Sequence, residues 1–126
     1  MKQLKVLLVE DEAMLALAFS ASLRKIGYNM LEPVATGESA IQSALENDPD
    51  VILMDIHLAG EMDGIEAAEK ILAKRSFWII FITGYSTESI QTRAQALKPV
   101  AYLVKPIIPP DVTPYLEELD NKLAQH

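Results

Sequence analysis

In this 126-residue chain, a small set of polar residues stands where apolar runs end, and their types suit the binding of a hard cation and charged oxygens. Glu10, Asp11 and Glu12 follow LKVLLV, Asp55 follows VILM, Thr83 closes WIIFIT, and Lys105 follows AYLV and precedes Pro106. An ionised carboxylate after the run 51–54 is costly unless a partner offsets it. Two or three carboxylates at one spot raise each other's pKa or recruit a cation. Oxygen donors without a His or Cys set favour Mg²⁺ over zinc. Singly, each residue has a plainer role: acidic groups start a helix well, threonine favours strands, and a lysine can be solvated. Their placement at four strand ends argues for one shared pocket. His57, a lone imidazole two residues beyond Asp55, is better suited to offer its backbone carbonyl than its ring.

These residues meet only if the intervening chain brings the strand ends together. Apolar runs at 4–9, 51–56, 78–83 and 101–104 are rich in Val, Ile and Leu without clean alternation, as in strands covered on both faces. A weaker strand is predicted at 29–34, with Pro33 making its end an edge or a bend. Leu15, Phe19, Leu23 and Ile26 give one helical stripe; Ile41, Ala44 and Leu45 give a second; Ile65, Ala68, Ile71 and Leu72 give a third. Gly27 reads as the C-cap of the first helix, and Asn47, Asp48 and Pro49 close the second. A fourth helix at 87–97 has a thin stripe of Ile90, Ala94 and Leu97. The last carries Leu116, Leu119 and Leu123, with Thr113 as N-cap and Pro114 as first residue, or a start at Asp111. Strands alternating with helices predict an α/β fold, a doubly wound parallel sheet with right-handed crossovers. In such a sheet the ligand site lies beyond the carboxyl ends of the strands, where these polar residues fall.

Composition narrows the function. The length and a 50% hydrophobic content fit one domain over residues 1–126 with one substantial core. A net charge of −7 argues against direct nucleic-acid binding through a basic face. The absence of cysteine excludes disulfides and thiolate metal sites. No apolar stretch approaches the roughly 18 to 20 residues of a membrane span, and MKQLKVLLVE is too short for a signal peptide, so the cytoplasm is the expected compartment. No G-x-G-x-x-G or Walker segment follows the first strand, where acidic residues would repel a nucleotide's phosphates.

Taken together, VEDE at 9–12, MDIHL at 54–58, ITG at 82–84 and AYLVKP at 101–106 resemble, in order and spacing, the receiver domains of two-component response regulators, over essentially the whole chain. The resemblance implies a flavodoxin-like five-stranded sheet in the order 2-1-3-4-5 with five helices. It implies that Asp55 is the phosphoacceptor, that Asp11 and Asp55 ligate Mg²⁺ with the His57 backbone carbonyl, and that Glu10 helps through a coordinated water. Thr83 would donate to the phosphoryl group, Lys105 would pair with another of its oxygens, and Lys105-Pro106 would be cis. The chemistry agrees, since a carboxylate can form an acyl phosphate and phosphoryl transfer rests on positioning and charge neutralisation.

Tyr102 matches the family's switch aromatic, expected to turn inward with Thr83 when a group of about −1.5 to −2 charge arrives. The implied partners are a sensor histidine kinase or phosphotransfer protein and a downstream protein target, and a phosphorylation-dependent homodimer through the fourth helix, fifth strand and last helix is compatible with the family. No enzymatic activity is expected beyond Mg²⁺-dependent self-phosphorylation and autodephosphorylation. His57 and Tyr85 flank the path of an attacking water in such folds, which ties them to the lifetime of the phosphoryl group.

The chain also departs from the family pattern. Most receivers have a proline four residues after the phosphoacceptor, where this chain has Ala59, and the loop LAGEMDG at 58–64 is one residue longer than the common form. Loop insertions cost little and Gly60 and Gly64 relieve backbone strain, so the metal site is expected to survive with an altered approach surface. The leading reading is a stand-alone phosphorylation switch. A phosphate sink or relay intermediate would use the same residues. A metal-dependent phosphohydrolase or a flavin protein of similar fold is disfavoured, the former because only a histidine stands near Asp55 as a further acid or base. An interaction module without phosphorylation would retain all these residues by coincidence.

Overall fold

A computed structural model describes residues 3–125 and contains five strands alternating with five helices. In chain order these are β1 (Lys5–Val9), α1 (Ala13–Ile26), β2 (Asn29–Met30), α2 (Gly37–Asn47), β3 (Val51–Asp55), α3 (Gly64–Leu72), β4 (Trp78–Thr83), α4 (Glu88–Gln95), β5 (Ala101–Val104) and α5 (Pro109–Ala124). The strands form one parallel sheet in the order β2-β1-β3-β4-β5, the flavodoxin-like order expected. Every residue of the central β3 is buried, because helices cover both faces of the sheet. Side chains alternate between those faces. Leu7, Val9, Ile52, Met54 and Phe81 pack with Ala40, Ala68 and Ile71 on one side. Val6, Leu8, Leu53, Ile80 and Ile82 pack with Leu23, Leu116 and Leu119 on the other. Register sets the site: Val9 pairs with Met54, Asp55 with Ile82 and Thr83 with Val104, so the polar strand ends share one edge.

Helix ends carry the expected chemistry in most places. Gly27, at φ 122°, receives the end of α1, and its amide donates to Arg24 and Leu23. Thr36 and Thr87 cap α2 and α4 by accepting from Ser39 and Ile90. Among the described residues, no helix is long and apolar enough to cross a membrane.

Three local expectations need correction. The strand predicted at 29–34 is only two residues long and resumes as a single bridge between Val34 and Val9, since Pro33 has no amide to give the ladder. The buried face of α1 is Ala16, Ser20 and Leu23, whereas Leu15 and Ile26 are exposed; small side chains let the helix approach the sheet closely. Helix α5 starts neither at Thr113 nor at Asp111 but at Pro109. Proline needs no amide partner in a first turn, and Asp111 Oδ2 accepts from the Ile108 amide at 2.8 Å, which closes the start and leaves Pro114 inside the helix.

Ser20 has a consequence of its own. Its residue is 2% exposed and its hydroxyl has no hydrogen-bond partner among the described residues. Ser20→Ala is expected to stabilise the fold by about 1 kcal/mol, through loss of a buried unsatisfied group and a better helix former. A chemical-denaturation midpoint unchanged or lowered would contradict this.

Candidate functional site

The carboxyl edge of the sheet gathers Glu10 and Asp11 after β1, Asp55 at the end of β3, Thr83 at the end of β4 and Lys105 after β5. Glu10, Asp55 and Thr83 are buried, Lys105 is half-buried and Asp11 is exposed. Lys105 Nζ bridges the two buried carboxylates, donating to Glu10 Oε1 at 2.8 Å and to Asp55 Oδ2 at 3.0 Å. Glu10 Oε2 also accepts from the Glu12 amide at 3.1 Å, and Asp55 Oδ1 from the His57 amide at 3.2 Å. The Lys105-Pro106 peptide is cis, and the Lys105 amide donates to the Thr83 carbonyl at 2.8 Å.

The electrostatics divide the two buried acids. Burial pushes Asp55 up to about 6; Lys105 opposes the rise and the Glu10 carboxylate adds to it. Burial acts on Glu10 in the same sense, but its bonds to Lys105, the Glu12 amide and Asp55 hold it below the ordinary carboxylate range. Lys105 is penalised by burial yet raised overall, because both acids favour its ammonium form. One lysine therefore faces two acids, and a negative charge on Asp55 is only partly offset.

The donor set fits a hard cation. One carboxylate oxygen from each of Glu10, Asp11 and Asp55 lies within 4.8 Å of the others, with no thiolate or imidazole among them. The exposed Asp11 leaves the spot open to solvent, which suits an ion that keeps several of its waters.

Around this pocket the β4–α4 loop is held by bonds that no sequence pattern announces. Thr83 Oγ1 donates to the Tyr85 carbonyl at 2.8 Å, and His57 Nε2 meets that same oxygen at 2.9 Å. The His57 ring is thus used toward the loop, and its bond requires the tautomer with hydrogen on Nε2. Tyr102 is half-buried, and its hydroxyl lies 2.6 Å from Ser86 Oγ, which ties β5 to the same loop. Ser86 was not singled out in the sequence, since an exposed serine in a loop carries no signal of its own. In the loop after β3, Gly60 adopts φ 95° and Asp63 caps α3 through Glu66, so the additional length is absorbed before the helix starts.

Comparison with known proteins agrees with this geometry. The family model described as "Response regulator receiver domain" matches residues 6–117. The transcriptional regulatory protein PdtaR of Mycobacterium tuberculosis is 34% identical over 113 residues, covering 90% of this chain and 55% of that protein. ResD of Bacillus subtilis, also a transcriptional regulatory protein, is 30% identical over 121 residues, covering 96% of this chain and 50% of that protein. This chain thus spans about half the length of these curated relatives. Among solved structures, the signal receiver domain of a modulated diguanylate cyclase from Desulfovibrio desulfuricans superposes with a TM-score of 0.86 at 33% identity, covering 96% of each chain. A CheY-like receiver domain protein from Methanospirillum hungatei superposes with a TM-score of 0.89 at 25% identity, covering 99% of this chain and 100% of that one.

Proposed function

We propose, because the chain belongs to the response regulator receiver family, that it accepts a phosphoryl group on Asp55 and so changes its surface for a protein partner. The observation that carries this reading is the Lys105 bridge between Glu10 and Asp55, with Asp11 beside them. A buried carboxylate, a lysine ammonium and a cluster of carboxylate oxygens side by side at one strand edge support the reading of Asp55 as nucleophile.

Asp11, Asp55 and the His57 carbonyl would hold Mg²⁺, with Glu10 acting through a water; bound there, the metal supplies charge neutralisation for the incoming phosphoryl oxygens. The residues of the chain do the rest. An oxygen of Asp55 attacks phosphorus in line, the bond from phosphorus to the donor breaks (P–N in a phosphohistidine, P–O in acetyl phosphate), and the donor leaves with its electron pair. Lys105, already 3.0 Å from Asp55, transfers its second bond from the carboxylate to a phosphoryl oxygen while keeping Glu10. The Thr83 hydroxyl leaves the Tyr85 carbonyl for the phosphoryl group, which draws the β4–α4 loop inward. Tyr102, linked to that loop through Ser86, follows it and alters the surface of α4, β5 and α5. The phosphoryl donor is a sensor histidine kinase or a phosphotransfer protein.

Intact-mass measurement after incubation with acetyl phosphate tests the reading. One phosphoryl group is expected on the wild type in Mg²⁺, none on Asp55→Asn, and none when a chelator removes the metal. Equal incorporation into Asp55→Asn would reject Asp55 as acceptor. No incorporation, with Tyr102 NMR signals unmoved by beryllofluoride, would leave a binding module that does not use phosphorylation.

A further inference from the structure

We propose that Arg93, on α4, is a positioning residue of the phosphoacceptor site and acts through Asp63; the proposal rests on the reading of Asp55 and the His57 carbonyl as metal-facing groups. Asp63 stands at a junction. Its Oδ1 accepts from the Glu66 amide at 2.8 Å and caps α3, while its Oδ2 accepts from Arg93 Nη1 at 3.2 Å. One residue further, Gly64 donates its amide to the Ile56 carbonyl at 2.7 Å, and its Cα lies so close to the end of β3 that a Cβ would overlap the Asp55 carbonyl oxygen. The start of α3 therefore abuts the backbone of the phosphoacceptor itself.

The loop between them has little room to relax. Met62 fills the space over Gly37 at the start of α2, with its Sδ 2.8 Å from where a Gly37 Cβ would lie. That side is closed by packing. The side facing α4 is closed by Arg93, and α4 has few other anchors: Ala94 is its one buried residue among those described, with Ile90 and Leu97 half-buried. The path α4, Arg93, Asp63, Gly64, Asp55 thus links the metal-facing loop to the switch surface through contacts separate from those of Thr83, Ser86 and Tyr102. Coupling between two sites is reciprocal. A partner that draws α4 away from Asp63 loosens the loop carrying the His57 carbonyl, and metal binding steadies α4.

Arg93→Gln and Asp63→Asn separate positioning from bare charge. Asparagine caps a helix about as well as aspartate, so both variants keep the cap and the fold, which thermal melts check. If charge alone mattered, removing the Arg93 cation would tighten Mg²⁺ and removing the Asp63 anion would weaken it. Positioning requires the same sign from both. Each single variant is expected to weaken Mg²⁺ binding by roughly two- to fivefold in calorimetric titration, the scale of a half-exposed ion pair. The double variant should be no weaker than either single one, Arg93→Lys should keep most of the affinity, and amides at 58–64 should exchange faster in both single variants. Tighter binding by Arg93→Gln, or fully additive losses, would overturn the proposal. Failure of the wild type to bind Mg²⁺, or equal binding by Asp55→Asn, would instead overturn the metal reading beneath it, and the proposal with it.

Discussion

Gly64→Ala is expected to destabilise the protein by at least about 3 kcal/mol, a large share of the roughly 5 to 15 kcal/mol that holds a domain together. The added methyl meets main chain on both counts, the Asp55 carbonyl and the Ile56 Cα, and neither can rotate away as a side chain would. The start of α3 must lift from the end of β3, which breaks the Gly64 to Ile56 bond and exposes Ile65, now fully buried. Gly60 and Gly84 supply controls. Gly60 has open space but φ 95°, so alanine there should cost only about 1 kcal/mol of backbone strain. Gly84→Ala meets only Lys105 Cδ at an ordinary 3.6 Å and should be nearly neutral for stability. Urea midpoints for the three variants give the ranking. A Gly64→Ala midpoint equal to that of Gly84→Ala would mean that the strand end and the helix start separate freely.

The second large effect is on pH dependence. In the metal-free protein Asp55 sits at about 6, above its ordinary 3.8, so between those values the folded state holds a proton that the unfolded chain has released. Stability therefore falls as pH rises from about 4 to about 6 and is flat above, by about 2 to 3 kcal/mol in all. Glu10 works the other way, since its depressed pKa adds stability that is lost only at more acidic pH, below its ordinary range. Asp55→Asn removes the burden of a buried charge while keeping shape. The variant should lose the slope between pH 4 and 6 and, at pH 7, melt roughly 5 to 10 °C above the wild type. Added Mg²⁺ should stabilise the wild type at pH 7 and leave Asp55→Asn almost unmoved. Thermal melts across pH, with and without Mg²⁺, check each part; a wild type that gains stability from pH 4 to 6 would show that Lys105 fully offsets the burial of Asp55.

Much of this was legible in the chain. Runs such as VILMD and WIIFIT, buried on both faces, signal their strands by composition alone, and the change from apolar to polar at each end marks the edge where Glu10, Asp55, Thr83 and Lys105 gather. Three kinds of feature stayed hidden. Helix α1 buries Ala16 and Ser20 beside Leu23, and small residues give almost no hydropathic signal, so the predicted stripe kept Phe19 and Leu23 but took in the exposed Leu15 and Ile26 instead. Pro109 and Pro110 read as loop although they begin α5, because the cap that starts the helix comes from Asp111, which lies inside it. Contacts such as Arg93 with Asp63 or Tyr102 with Ser86 join residues 30 and 16 positions apart, and nothing local in either partner announces the other.

The double use of the Tyr85 carbonyl bears on how the switch is balanced. It accepts from Thr83 and from His57 together, so when Thr83 turns toward a phosphoryl oxygen the carbonyl still has one donor. Thr83 then exchanges one acceptor for another, while the Tyr85 amide, which donates to Thr83 Oγ1 at 3.2 Å, gives up that acceptor. On the proposed phosphorylation of Asp55 the trade is therefore one bond exchanged and one backbone bond given up, a difference on the order of one hydrogen bond. Before phosphorylation an inward Thr83 would have no phosphoryl oxygen to receive its hydroxyl, so its bond to the Tyr85 carbonyl favours the loop position seen here. On the proposed function, phosphorylation supplies the acceptor that releases Thr83, and a partner that grips the inward loop would act on the same equilibrium from the opposite end.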